Sequence, residues 1–98
     1  MRIIEKEMVS AFNACKNFRK ANTEVQVYGG VFVYLHGNCI AYKDTTTGRI
    51  TFTAGGWHTR TTASRLRALG APVHIKDGRI VWNETGQEIP FRFTGPMM

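Results

Sequence analysis

The period of the apolar positions changes three times along the chain, and each change marks a new element. From residue 3 to residue 20, Ile4, Met8, Ala11, Cys15 and Phe18 recur on one stripe with Phe12 at its border, which predicts a first helix. After Ala21-Asn22-Thr23 the period falls to two, with Val25 and Val27 alternating against Gln26 and Tyr28. Gly29-Gly30 then bends or breaks that strand. Residues 31–35 (Val-Phe-Val-Tyr-Leu) are apolar on both faces, as in a central strand. His36-Gly37-Asn38 turns the chain into a strand over 39–43. A polar loop at 44–48 leads to a strand over 49–53, in which Ile50 and Phe52 are expected to face inward. Loops this short connect antiparallel neighbours only.

The helical period returns after Gly55-Gly56-Trp57. Thr59, Thr61 and Thr62 are candidate caps, and Gly70 with Pro72 supplies a stop. At about 100° per residue, Thr62, Leu66 and Leu69 share one side of this second helix, and Arg60, Ser64 and Arg67 the other. Period two resumes from Val73 to Trp82, broken by Asp77-Gly78, the signature of a two-residue type I′ hairpin. Residues 88–93 are expected to add a short edge strand, and 94–98 a loose tail. The reading is a single α+β domain over 1–98: an antiparallel sheet of about five strands with two helices on one face, in the order α-β-β-β-α-β-β. Its first five elements follow the order of a double-stranded-RNA-binding domain, without the lysine run that opens that domain's second helix.

Composition narrows the function classes. No apolar run approaches the roughly 18 residues of a membrane span, and the first residues lack the apolar core of a signal peptide, so no membrane partner is expected. The net charge of +6 favours polyanions or an acidic protein surface. Cys15 and Cys39 have no closely spaced partner and read as buried free thiols in a reducing compartment. His36, His58 and His74 fall in three different elements, so neither a zinc site nor any cofactor is expected. The few acidic residues form no acid–base pair, and no Walker loop is present, so an enzyme is not expected.

Binding is the better reading. Arg60, Arg65 and Arg67 on the second helix, with Lys16, Arg19 and Lys20 at the end of the first, are the candidate phosphate contacts. Arg49, Arg79 and Tyr42 are further candidates, since Tyr28 and Tyr42 lie on half-apolar strands and are expected to be exposed for stacking. Trp57 and Trp82 are read as completing the core.

The block Gly55-Gly56-Trp57-His58-Thr59-Arg60-Thr61-Thr62-Ala63-Ser64-Arg65 resembles a Gly-Gly-Trp-x-Thr-x-Thr-Thr-x-x-Arg pattern of small bacteriophage-encoded proteins, and the likeness spans roughly residues 40 to 82. It implies a phage accessory protein acting in the bacterial cytoplasm. Proteins of that kind bind nucleic acid, or bind and inhibit an acidic or nucleic-acid-binding host complex, for example as anti-CRISPR or other counter-defence factors. A homodimer paired through the 89–93 edge is a third expectation.

Overall fold

The structure is a computed structural model and describes residues 2–93. Its first helix, α1 (Ile3–Ala14), stops well short of Lys20. Cys15 turns into the left-handed region at φ 54°, and Asn17 Oδ1 accepts the Val27 N–H at 2.8 Å. The chain is thereby drawn into β1 (Phe18–Lys20), which pairs with β2 (Thr23–Val27) so that Phe18 lies opposite Val25. An aromatic residue gains more beside a valine on a sheet than on a fraying last turn of helix. Lys16, Arg19 and Lys20 are therefore loop and strand residues, not the back face of a helix. Cys15, expected in the core, is exposed.

Gly29-Gly30 serves as a hairpin connection into β3 (Val31–Leu35), and β4 (Asn38–Lys43) and β5 (Ile50–Phe52) follow. The five strands pair antiparallel in sequence order. Then come α2 (Arg60–Ala68) and a separate two-stranded sheet of β6 (Val73–Lys76) and β7 (Arg79–Trp82). Asp77 and Gly78 both have positive φ, 51° and 74°, as a type I′ turn requires. The α+β class and the five-stranded antiparallel sheet are as expected. All five strands precede α2, however, so the order matching a double-stranded-RNA-binding domain is not present.

Register assigns the two faces of the sheet. Val25, Val33, Ala41 and Phe52 stand in line across β2 to β5 on the inner face. Met8 and Phe12 from α1 and Ala63 and Leu66 from α2 share their core, with Val73, Ile80 and Ile89 beside them. Ile50 lies at the sheet's end and is exposed, not inward. Gln26, Phe32, Tyr42 and Thr51 line up on the outer face. There Phe32 is buried beneath Tyr28, stacked at 4.4 Å, and Tyr42, tilted at 4.8 Å. A Cβ at Gly30 would lie 2.5 Å from Tyr42 Cε1, so the bare glycine makes room for that ring. The Tyr28 and Tyr34 hydroxyls meet at 2.5 Å. Burial, then the hydrogen bond that the Tyr34 hydroxyl shares with Tyr28, pushes the Tyr34 phenol well above its usual range. Burial also pushes the Cys39 thiol up to about 11.

One ion pair crosses the interior. Arg65 Nη1 donates to Glu5 Oε2 at 2.7 Å, and both side chains are only 4% exposed. Ser64 Oγ donates to the same oxygen, and Arg65 Nε to Thr23 Oγ1 at 3.2 Å, which ties α1, α2 and β2 together. Arg65 is thus a structural residue. Its guanidinium is already engaged, and a phosphate in solvent does not reach it.

The segment after β7 forms no free edge. Ile89 N–H donates to Ile80 O, while Pro90 O and Phe91 O accept from Ala54 N–H and Gly56 N–H. These bonds engage the backbone of residues 89–91, the stretch where the two-fold pairing through 89–93 was expected. Among the described residues, no helix is long and apolar enough to cross a membrane. The loose tail expected over 94–98 lies outside the described residues.

Candidate functional site

The hinge between β5 and α2 is built to hold one backbone path. Thr53 Oγ1 donates to Cys39 O at 3.0 Å and accepts the Gly55 N–H at 3.1 Å. Gly55 and Gly56 have φ of 62° and 87°. A Cβ on Gly55 would stand 2.8 Å from Ile40 Cγ2, and one on Gly56 2.8 Å from the Arg92 guanidinium. Both positions therefore favour glycine for conformation, and Gly55 for space as well. Trp57 N–H closes the turn onto Ala54 O at 3.1 Å.

His58 fastens the far side of the hinge. Its Nδ1 accepts the Ile80 backbone N–H at 2.9 Å, so the neutral ring carries its proton on Nε2, which faces Glu88 Oε2 at 3.4 Å. The Nδ1 nitrogen is thus engaged with a main-chain amide. His58→Ala is expected to leave the Ile80 amide without its partner and lower stability by about 1–3 kcal/mol, read from the shift of a urea midpoint. Thr59 then caps α2, its hydroxyl accepting the Thr62 N–H at 3.1 Å.

This frame presents Trp57 to solvent. The indole is 61% exposed, against the expectation that it completes the core, whereas Trp82 is half-buried. Beside it lies a cleft of about 500 Å³. Leu35, Ile40 and Ala54 give it an apolar lining, and His36, Asn38 and Thr61 are among its polar lining residues. Among the described residues, no carboxylate borders it.

Cations lie around this cleft, not in it. Arg60 opens α2 and is exposed. Arg92 packs against Gly56 and lines the neighbouring depression with Gly37, Asn38 and Gly55. Arg19 lines another, with Asn22, Glu24, His36 and Gly37. The turn from β3 to β4 is common ground to all three hollows. Sequence reasoning missed Arg92, because its place beside Gly56 follows from the pairing of 54–56 with 90–91 and from nothing local.

The other sequence candidates are dispersed. Arg67 is exposed further along α2, and Lys16 is exposed before β1. Lys20 is paired with Glu7 at 2.9 Å. Arg49 precedes β5, at the sheet edge opposite β1, which four strand spacings of about 4.8 Å set roughly 19 Å away. Arg79, on the β6–β7 hairpin, stands 3.9 Å from Glu88. Tyr42 is half-buried, with its ring tilted against Phe32. Thus Arg19 and Arg60 flank one site, and Arg49, Arg79, Lys20, Arg65 and Tyr42 do not join it.

Residues 1–95 match the family model described as Kyanoviridae Gp96 protein. The chain belongs to that family. It is a bacteriophage family, in line with the phage origin implied by the Gly-Gly-Trp block, and the match takes in α1 as well as the region from residue 40 to 82. No curated protein and no solved structure matches the chain. Among the described residues of this family member, no group of three or more His, Cys, Asp or Glu could hold a metal ion.

Proposed function

We propose that this protein is a non-enzymatic phage accessory factor of the infected bacterial cytoplasm that binds nucleic acid through phosphate contacts. The observation that carries the reading is a carboxylate-free cleft with an exposed indole, flanked by Arg60, Arg92 and Arg19. Arg67 adds a second exposed cation on the helix that Arg60 opens. Several of the acidic side chains are occupied internally: Glu5 by Arg65, Glu7 by Lys20, and Asp44 by the amides of Thr46 and Thr47. The net charge of +6 supplies the positive balance a polyanion needs.

If about five phosphates are neutralised, log affinity falls against log salt with a slope near −4.5 for duplex and near −3.5 for a single strand. Arg60→Ala with Arg67→Ala is expected to reduce the steepness by about 2, whereas Arg79→Ala leaves it unchanged. A slope near zero for the wild-type protein contradicts the reading.

A second reading rests on its own observation. Trp57 and Phe91 are exposed at 61% and 48% on adjoining backbone, with Arg92 over the Phe91 ring. Exposed aromatics beside an arginine are the usual anchors of protein interfaces. In that case the protein is a phage inhibitor of a host enzyme or defence complex, meeting an acidic or nucleic-acid-binding groove. A stoichiometric protein partner captured from nuclease-treated host lysate, and lost on Phe91→Ala, favours inhibition.

A further inference from the structure

The cleft beside Trp57 sets an apolar wall against an exposed indole. Phosphates are held by cations and amides in wet, polar settings, yet among the described residues no lysine or arginine lines this hollow. Leu35, Ile40 and Ala54 give it instead a surface that gains by excluding water, beside the indole of Trp57. Polar groups with spare hydrogen-bonding capacity lie in the same lining. Asn38 commits its Nδ2 to His36 O at 3.3 Å, and among the described residues its Oδ1 accepts nothing; Thr61 adds a hydroxyl. An apolar lining, an aromatic plane and a few polar groups are the recognition elements of a nucleobase.

We infer that the cleft takes one unpaired nucleobase, stacked on Trp57 and met by Asn38 and Thr61, so that the nucleic acid bound is single-stranded. The inference rests on the proposed nucleic-acid reading of the cationic surface, and it adds which form of nucleic acid is held. A base inside a duplex is excluded, because both its faces and its pairing edge are already occupied. Volume agrees: about 500 Å³ lies within the range of sites for small ligands. Rigidity agrees as well. The Gly55-Gly56 hinge is fixed by hydrogen bonds to Cys39, Pro90 and Phe91, so little backbone freedom is lost when a base arrives.

The test is fluorescence anisotropy at low salt with three labelled probes: a single strand, the same strand carrying abasic sites, and its duplex. The wild-type protein is expected to hold the intact strand about tenfold or more tighter than the abasic one. Trp57→Ala, at an exposed position where folding is not at stake, should remove that difference, and Trp57→Phe should restore most of it. In a Trp82→Phe background, where Trp57 is the one remaining indole, the intact strand should quench its emission and the abasic strand should not. Equal affinity for intact and abasic strands, with duplex bound as well, overturns the nucleobase site and leaves the phosphate reading standing. No binding of any probe at low salt overturns both.

Discussion

Arg65→Ala is expected to lower the folding free energy by about 3–5 kcal/mol, the largest loss for any single cation in the chain. The change strands the Glu5 carboxylate, 4% exposed, beside Met8 and Phe12 with only Ser64 and its own helix start to satisfy it. Glu5→Ala should cost a similar amount by stranding the guanidinium. Replacing both, as Glu5→Leu with Arg65→Met, removes the two desolvated charges together and should cost much less than either single change. Urea unfolding of the three variants decides the matter. If Arg65→Ala shifts the midpoint no more than Arg67→Ala, the buried pair is not a structural link. The pair also sets a pH dependence. Burial raises the Glu5 pKa, but the bonds from Ser64, Arg65 and the Arg2 backbone, with the charge of Arg65, outweigh it and hold the carboxyl below its ordinary value. Its stabilisation is therefore complete above the unfolded carboxylate pKa of about 4.3 and is lost as pH falls through the lower folded value. In Glu5→Leu with Arg65→Met, that part of the acid sensitivity should be gone.

Gly55→Ala comes next, with an expected loss of about 2–5 kcal/mol. A left-handed φ of 62° costs a non-glycine residue about 1–2 kcal/mol. Forcing a methyl against Ile40 Cγ2 at 2.8 Å and Asn38 Cβ at 3.3 Å adds about 1–3. Gly78→Ala is the matched control, since its φ is 74° but nothing lies within 4 Å of an added Cβ. It should show the backbone cost alone. Because Gly55 borders the cleft, its substitution should also weaken oligonucleotide binding in whatever fraction remains folded, and Gly78→Ala should not. Equal stability losses at the two positions would mean that the hinge is not tightly packed.

How much of this was legible in the chain depended on how local the cause was. Asp77-Gly78 announced its hairpin because the turn chemistry lies in the two residues themselves. The inner face of α2 followed from the spacing of Thr62, Leu66 and Leu69. The same wheel places Arg65 about 300° after Thr62, hence on the inner side, and an inward arginine demands an acid. Glu5 sits on the Met8–Phe12 side of α1, so the pair could have been found. The end of α1 was not readable, since no glycine or proline marks it. Asn17 bonding Val27 and Phe18 facing Val25 are contacts made only once the sheet exists. Trp57 was read as core on residue type, while its exposure follows from a hinge whose anchor, residues 90–92, is distant in sequence. The cationic candidates failed to converge for a related reason: β1 and β5 lie at opposite edges of one sheet.

The central claim is that the surface around Trp57 is where nucleic acid binds. A titration of isotope-labelled protein with a short single-stranded oligonucleotide at low salt, followed by amide and indole NMR shifts, tests it most directly. The account predicts changes concentrated at the Trp57 indole, Gly55, Asn38, Thr61 and Arg60, with the β6–β7 turn at Asp77-Gly78 unmoved. Changes centred on that turn or on Arg49, or no saturable change at all, would contradict it.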